Sequence, residues 1–303
     1  MSDQANIHVR AALLMLASTV AFGLMAVMIR LASRTMPTLE IAFFRNAFGM
    51  LALLPMLLHG GRTLLETQQL PRYFIRCAIG MCSMLAAFWA IGNLPLSQAI
   101  SLSYSTPLFV TIAAVIWLGE VVRMRRWAAV VLGFIGVIVI VQPWSASFSI
   151  GTLVALLAAV LSAVVAIQIK QLSRVDKADT IVFYTYAFWV PMSLLPAMFV
   201  WQWPQGMAWV WLACTGVLGT IGQLMWTRAL KIGDVSALTP ITFMQLPVVA
   251  IAGYLLFDET ITKWTLVGAG IIFSANAYIA HREVQLARHA ATTAPVEAAK
   301  PAE

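Results

Sequence analysis

Long apolar stretches alternate with short polar, charged or Pro/Gly-rich breaks along almost the whole chain. A helix that crosses a membrane needs roughly 20 apolar residues, and stretches of about that length occur ten times. A membrane-spanning strand would show strict alternation of apolar and polar side chains, which is not found here. The pattern predicts an all-α integral membrane protein with ten transmembrane helices. The predicted spans are residues 10–32, 39–58, 73–92, 97–119, 126–142, 150–171, 180–201, 208–229, 235–257 and 264–281.

The composition of the 303-residue chain argues against a water-soluble fold. Hydrophobic residues make up 61% of the chain, charged residues make up 10%, and the mean hydropathy is +0.87. An ordinary soluble domain is less apolar and carries more charge. The breaks between the predicted spans are too short to hold a soluble domain. Any function is therefore expected inside the helix bundle.

The chain contains an internal duplication, clearest between residues 96–126 and 235–263. Both stretches begin near a serine, have a proline near the middle and end at a glutamate. The matched residues lie 137 to 140 positions apart: Ser97 with Ser236, Pro107 with Pro247, Glu120 with Glu259, Trp127 with Trp264 and Gly133 with Gly270. The duplication divides the chain into two similar units.

Each unit contains five predicted helices. Because five is odd, the two units cross the membrane in opposite directions and form inverted repeats. The predicted organisation is a cytoplasmic N-terminus at residues 1–9, a first five-helix repeat at 10–142, a second at 150–282, and a disordered cytoplasmic tail at 283–303. The tail prediction rests on its Ala, Thr, Pro and charged composition.

The net charge of +7 reflects orientation in the membrane rather than binding to nucleic acid. With the N-terminus inside, 14 of the 19 Lys and Arg residues lie in cytoplasmic segments and only Arg34 and Lys263 lie in outer loops. Cytoplasmic loops of membrane proteins carry such an excess. We therefore predict that both termini are cytoplasmic. At the span ends, Arg30 is expected to reach the lipid headgroups, and Glu120 and Glu259 to cap loops or helix ends.

The fourth and ninth spans carry polar side chains and a central proline. In the fourth span, Ser101, Tyr104 and Thr111 recur at helical spacing on one face of an otherwise apolar helix. Proline removes a backbone donor, and the freed carbonyls are tolerated in a membrane only inside protein or against a cavity. Interrupted helices at matching positions of inverted repeats are typical of secondary transporters. Pro107 and Pro247 are predicted to be hinges at the repeat interface.

Arg45 is the unusual charge of the second span, because it lies about 7 Å deeper than Glu40 at the helical rise per residue. An arginine at that depth needs a partner or a water-filled cavity. Two interpretations stay open at this point. Arg45 binds an anionic group of a solute, or it is a buried anchor bonded to Glu40 or to carbonyls at a helix end.

Candidate substrate-binding residues are the polar and aromatic side chains deep in the spans. The cysteines lie in apolar spans without metal-ligand spacing and the histidines lie at ends or in loops, so no metal site and no cofactor is predicted. For each aromatic candidate, simple packing in the core is the alternative. The candidates are Arg45, Trp89, Ser101, Tyr104, Gln168, Tyr186, Gln223, Phe243 and Gln245.

Three features together resemble the EamA branch of the drug/metabolite transporter superfamily. They are the ten-span count, the E-I-A-F-F-R segment at residues 40–45, and the run P-L-F-V-T-I-A-A-V-I-W-L-G-E at 107–120 followed by R-R-W-A-A-V-V-L-G-F-I-G-V. The resemblance covers the chain up to about residue 282. It implies a bacterial inner-membrane carrier whose central cavity is lined largely by helices 1, 3, 4, 6, 8 and 9. Within that branch, the second and fourth spans look most like S-adenosylmethionine uptake carriers and somewhat like riboflavin carriers.

We therefore expect a secondary transporter that moves a small amphipathic metabolite without ATP, with S-adenosylmethionine or a related amino-acid or nucleoside derivative as the first candidate. Aromatic faces can hold a sulfonium by cation–π attraction. An exporter of amino acids or drugs is the alternative within this class, and a polytopic membrane enzyme is the alternative of another class. The sequence contains no motif typical of a membrane enzyme and no ATP-binding motif of the kind an ATP-driven pump requires. The expected partners are the small-molecule substrate and the lipid bilayer; a homodimer is left open.

Overall fold

A computed structural model describes residues 2–60, 67–118, 124–144, 149–172, 175–232, 238 and 241–293. Within these residues all regular structure is helical, which confirms the predicted all-α class. The helices are α1 (Ser2–Ala32), α2 (Thr38–Gly60), α3 (Leu70–Asn93), α4 (Leu96–Ser103), α5 (Thr106–Leu118), α6 (Met124–Val141), α7 (Ile150–Leu172), α8 (Ala178–Met198), α9 (Ala208–Ile232), α10 (Gln245–Phe257) and α11 (Lys263–Thr293).

Six stretches of the described residues are helical, long and apolar enough to cross a membrane. Two shorter apolar helical stretches, Trp127–Val141 and Gln245–Phe257, accompany them. The chain is therefore a multi-pass membrane protein, while the full count of ten spans stays a prediction. The six long stretches are Val9–Ala32, Leu70–Asn93, Leu96–Trp117, Ile150–Ile169, Asp179–Met198 and Ala208–Trp226.

The span that contains Pro107 is interrupted in its middle. Helix α4 ends at Ser103, a turn follows at Tyr104 and Ser105, and α5 starts at Thr106. In the second copy, a turn at residues 243–244 precedes α10, which starts at Gln245. Each proline therefore lies in the first turn of a new helix, where its missing N–H leaves no helical hydrogen bond unmade. The interruptions are present as expected, and hinge motion at Pro107 and Pro247 stays a prediction.

Helix packing follows the duplication. Helix α1 packs along α9, and the equivalent pair in exchanged order, α7 with α3, also packs closely. Helices α4 and α10 belong to corresponding broken spans and contact each other, and α6 packs along α11. The recurrence of these pairs in exchanged order indicates that the two copies are related by an approximate two-fold axis.

The tail predicted to be disordered begins at residue 283. Helix α11 is described through Thr293, so it runs through the first part of that segment. The remaining residues lie outside the described part of the chain. The predicted cap at Glu120 also lies outside it.

Helices α6 and α11 approach closely because glycines face each other at their contact. A Cβ atom at Gly136 would lie 2.8 Å from the carbonyl oxygen of Gly268, and one at Gly268 would lie 2.6 Å from that of Gly136. Real Cβ atoms do not come this close to a backbone oxygen, so a side chain at either position would push the helices apart. Small residues permit such approaches in membranes, where packing replaces the hydrophobic effect between helices.

We predict that Gly268→Ala lowers the melting temperature of the detergent-purified protein, because the added methyl group meets backbone that must shift. Overpacking of this kind typically costs about 1–3 kcal/mol. Gly270→Ala is the matched control, since no atom lies within 4 Å of a Cβ at that position. Equal melting temperatures for the two variants would contradict the proposed tight contact.

Candidate substrate site

The two interrupted spans meet at their interruptions. The rings of Tyr104 and Phe243 stack with centroids 4.2 Å apart and planes inclined by 27°. These residues are 139 positions apart, as are Ser97 and Ser236, so they occupy equivalent places in the two copies. The Tyr104 hydroxyl donates a hydrogen bond to the carbonyl of Thr242 at 3.3 Å. The stacked pair therefore joins the two repeats at the approximate symmetry axis.

Polar groups surround this stack. The Asn276 amide of α11 donates a hydrogen bond of 3.0 Å to the Tyr104 carbonyl, a backbone group left by the interruption. Asn276 Oδ1 and Ser101 Oγ are buried without a hydrogen-bond partner among the described residues. Phe273 packs its ring edge against Phe243 at 4.8 Å. The interruption thus combines aromatic surface with unused polar atoms, which is the chemistry that binds an amphipathic metabolite.

Arg45 lies in a second cluster, between α2 and α8. Its side chain is 6% exposed, and Nη1 donates to Oδ1 of Asn46 at 2.9 Å. The guanidinium lies over the rings of Tyr186 and Trp189, 5.2 and 5.6 Å from their centroids. Arrangements of this kind stabilise a cation by cation–π attraction.

Glu40 does not pair with Arg45. Oε1 of Glu40 accepts a hydrogen bond from the backbone N–H of Gln202, and Oε2 is buried without a partner. Of the two interpretations of Arg45, the buried anchor to Glu40 or to helix-end carbonyls finds no matching contact among the described residues. Arg45 instead contacts an amide side chain and two rings.

Glycines of α9 allow this cluster to form. A Cβ atom at Gly219 would lie 3.1 Å from both Nε and Nη2 of Arg45. At the next position, Thr220 donates a hydrogen bond to the Gly49 carbonyl at 3.2 Å, and its hydroxyl lies 3.1 Å from that of Tyr186, which can donate to it. The absence of a side chain at Gly219 leaves the guanidinium directly beside α9.

Other predicted site residues are more dispersed. Gln245 follows the Phe243 turn, and its Cγ lies near Gly23 of α1. Gln223 follows Gly222, whose carbonyl accepts a hydrogen bond of 2.8 Å from Ser18. Oε1 of Gln168 is buried in α7 without a partner, and Trp89 is 37% exposed on α3. The structure thus brings Tyr104 and Phe243 together, brings Arg45 and Tyr186 together, and holds Gln168 and Trp89 on separate helices.

Sequence reasoning missed two residues of these clusters, whereas the deep indole of Trp189 was expected as a possible lining residue. Asn276 was visible as a lone amide in an apolar helix, but its partner is distant in sequence. Arg76 is the second: it is 5% exposed in α3, and its Nη1 donates to Thr185 Oγ1 at 2.6 Å. A second charge inside a predicted span was the signal that could have identified it.

An ion pair ties the two copies at one end of the bundle. Nη2 of Arg30 lies 2.9 Å from Oε1 of Glu259, and Arg30 also donates to the carbonyls of Ile91 and Gly92. Oε2 of Glu259 accepts a hydrogen bond of 2.7 Å from the N–H of Leu96 in the first turn of α4. The capping role predicted for Glu259 is confirmed. The expectation that Arg30 reaches the headgroups is wrong, because a closer carboxylate and two free helix-end carbonyls are available.

A cavity of about 950 Å³ lies at one end of the bundle, beside the loops that join α1 to α2 and α8 to α9. Its lining includes Arg34, Gln202, Gln205, Trp203 and Trp211. None of the predicted substrate-binding residues lines it. In the described part of the chain, no three His, Cys, Asp or Glu side chains group as a metal site would require.

Comparison with known families identifies the family to which this architecture belongs. A family described as the EamA-like transporter family matches the chain twice, over residues 9–142 and 149–280. The chain belongs to the EamA-like transporter family. The double match supports the two-repeat architecture of this EamA-like protein. A solved crystal structure, 20% identical, superposes with a TM-score of 0.61 over 96% of this chain and 99% of its own, which shows a shared fold.

Relatives of this EamA-like protein are named for transport. A riboflavin transporter of Vibrio cholerae is 32% identical over 91% of this chain and 95% of its own length. An S-adenosylmethionine uptake transporter of Rickettsia felis is also 32% identical, over 80% and 83%. A pseudopaline exporter of Pseudomonas aeruginosa is 30% identical over 87% and 93%. The names indicate a membrane transporter rather than an enzyme, and they differ in substrate and direction.

We predict that Tyr104→Phe and Tyr104→Ala distinguish the contribution of the hydroxyl to stability from that of the ring. The Phe variant keeps the stack on Phe243 and loses one hydrogen bond, so its free energy of unfolding should fall by about 1 kcal/mol or less. The Ala variant removes a buried ring, which costs roughly 3–5 kcal/mol.

Thermal unfolding in detergent measures both Tyr104 variants, with Trp89→Ala as the control because that ring is partly exposed. Equal destabilisation by Tyr104→Phe and Tyr104→Ala would show that the stack does not stabilise the meeting of the two repeats.

Proposed function

We propose that this chain is a secondary transporter of the bacterial inner membrane that moves a small amphipathic metabolite by alternating access. S-adenosylmethionine, or a related amino-acid or nucleoside derivative, is the first candidate substrate. The observation that carries the proposal is the contact of the two interrupted spans at equivalent residues, Tyr104 and Phe243. Secondary transporters bind their solutes at such interruptions, near the interface of their repeats.

Alternating access requires two repeats that move against each other around a central site. We infer ten spans in two inverted five-helix repeats, with Pro107 and Pro247 as the hinges. In the described conformation, Arg30 of the first repeat and Glu259 of the second are bonded at one end of the bundle. A contact between repeats at one end is what a carrier must break to open that end. The family membership and the exchanged helix pairs support this mechanism.

The chemistry of the two clusters supports a substrate with a flat ring and polar groups. Stacked rings at Tyr104 and Phe243 offer a surface for a heteroaromatic ring, and Ser101 and Asn276 offer unused hydrogen-bonding atoms. S-adenosylmethionine carries an adenine ring, a sulfonium and an amino-acid group. The names of the S-adenosylmethionine uptake relatives, about 30% identical to this chain, support it as the first candidate.

Two other substrates within the same mechanism are favoured by specific relatives. The riboflavin transporter of Vibrio cholerae matches a larger share of the chain than the Rickettsia felis carrier does, and riboflavin also presents a flat ring. The pseudopaline exporter supports the opposite direction of transport, toward the outside. Both are alternatives that the same experiments distinguish.

We infer that both termini are cytoplasmic, because Lys and Arg residues accumulate on the side of the N-terminus. A reporter that is active only outside the cytoplasm should therefore be silent when fused after residue 303. The same reporter inserted after Gln205, in the loop between α8 and α9, should be active and serves as the control. An active C-terminal fusion would overturn the orientation.

The substrate is tested with detergent-purified protein and a panel of S-adenosylmethionine, riboflavin, single amino acids and purines. A ligand that binds only the folded protein raises its melting temperature, by RT ln(1 + [L]/Kd) in free energy. We expect a concentration-dependent rise with S-adenosylmethionine and uptake of the labelled compound by vesicles containing the protein.

Two results would change the assignment. Stabilisation by riboflavin alone would keep the carrier mechanism and replace the substrate. Stabilisation by amino acids or drugs, together with accumulation inside inverted but not right-side-out vesicles, would favour an exporter. If no panel member stabilised the protein or entered vesicles, the proposed substrate class would be wrong.

A further inference from the structure

Two arginines lie inside the described bundle without a carboxylate partner. Arg45 and Arg76 are 6% and 5% exposed, so both charges are removed from water. Arg45 donates to the Asn46 side chain, and Arg76 donates to Thr185 and contacts Cys77. The Nε atom of each guanidinium is buried with no hydrogen-bond partner. Both groups therefore retain donors that no described residue uses.

No described carboxylate bonds to either arginine: Glu40 accepts a hydrogen bond from the Gln202 N–H through Oε1, and its Oε2 is buried without a partner. Glu259 pairs with Arg30, the one ion pair among the described residues. Asp176 accepts hydrogen bonds from Tyr73 at 2.8 Å and Thr67 at 2.7 Å. A buried guanidinium without an anion is costly, and an ionisable residue within a membrane span usually serves transport or binding. The missing anion is then expected to come from outside the chain.

A single turn of α8 brings the two arginines into one neighbourhood. Thr185 accepts the hydrogen bond of Arg76, while Tyr186 and Trp189 lie beneath the guanidinium of Arg45. Trp189 also donates from Nε1 to the carbonyl of Cys77 at 2.9 Å, directly beside Arg76 in α3. Trp189 therefore contacts both arginine sites: its N–H bonds to the turn of α3 that carries Arg76, and its ring lies against the guanidinium of Arg45.

We propose that Arg45 and Arg76 bind the anionic group of the transported metabolite, and that this group is a carboxylate. The inference rests on the proposed transport function and deepens it by naming the substrate class. Guanidinium groups match the geometry of a carboxylate with paired N–H donors, and the rings under Arg45 hold its plane in a fixed orientation. Because both charges are covered in this conformation, the carboxylate binds when α8 separates from α2 and α3 during the transport cycle.

The proposal distinguishes among the candidate substrates. S-adenosylmethionine has a carboxylate, whereas riboflavin has no anionic group at neutral pH. Decarboxylated S-adenosylmethionine keeps the adenine ring, the sulfonium and the amine and lacks only the carboxylate. Comparison of these two sulfonium compounds therefore isolates the group that the arginines are proposed to bind.

The experiment measures the affinity of both compounds for the purified full chain and for Arg45→Gln, Arg76→Gln and Arg72→Gln. Arg72 is the matched control, since it lies one turn from Arg76 on α3 but is exposed. We expect S-adenosylmethionine to bind the unmodified chain about 10- to 100-fold more tightly than its decarboxylated analogue, as loss of a charged hydrogen-bonded pair implies. Arg45→Gln and Arg76→Gln should remove that difference, and Arg72→Gln should preserve it.

Each outcome decides a separate point. Equal binding of both compounds to the unmodified chain would overturn the carboxylate site and leave the transporter proposal intact, even if the glutamine variants failed to fold. Variants that weakened both compounds equally would show that the arginines are structural. If neither compound bound, the substrate candidate would fail. In that case, equal affinity of riboflavin for the unmodified chain and for both glutamine variants would overturn the arginine site. A different carboxylate ligand whose binding required Arg45 would support it.

Discussion

In a membrane, a helix can be interrupted only where other groups satisfy the backbone atoms that the interruption frees. Here the two interruptions lie against each other and supply part of that requirement themselves. Tyr104 donates to the carbonyl of Thr242 in the other repeat, and Asn276 donates to the carbonyl of Tyr104. The stacked rings of Tyr104 and Phe243 add an apolar contact between the two turns. The candidate substrate site and the junction of the two repeats therefore depend on the same contact.

The rest of the bundle is arranged around this meeting by close packing. Glycines face each other between α6 and α11, and glycines of α9 let it approach α1 and α2. Because lipid is as apolar as the helix surfaces, such contacts and a few hydrogen bonds between helices hold the helices together. The Arg45 cluster depends on the same kind of contact, because it lies where α9 has no side chain at Gly219.

The helical class and the position of the interruptions could be predicted from the sequence, because both follow from local patterns. Apolar length indicates a span, and a proline within a polar face marks a break near Tyr104. The destination of long polar side chains could not be predicted in this way. Arg30 was expected at the headgroups, yet it pairs with Glu259, 229 positions away. Asn276 and Arg76 likewise become significant only through partners that a single sequence does not reveal.

The tie between Arg30 and Glu259 has a further consequence for an empty carrier. Opening that end would strip partners from two charges, from the Leu96 N–H and from the carbonyls of Ile91 and Gly92 together. Because these groups share one network, they separate as a unit rather than singly. A partly open end is therefore disfavoured. Under the proposed alternating access, this end would pass from closed to open in one step and leave no half-open path by which protons or ions could leak across the membrane.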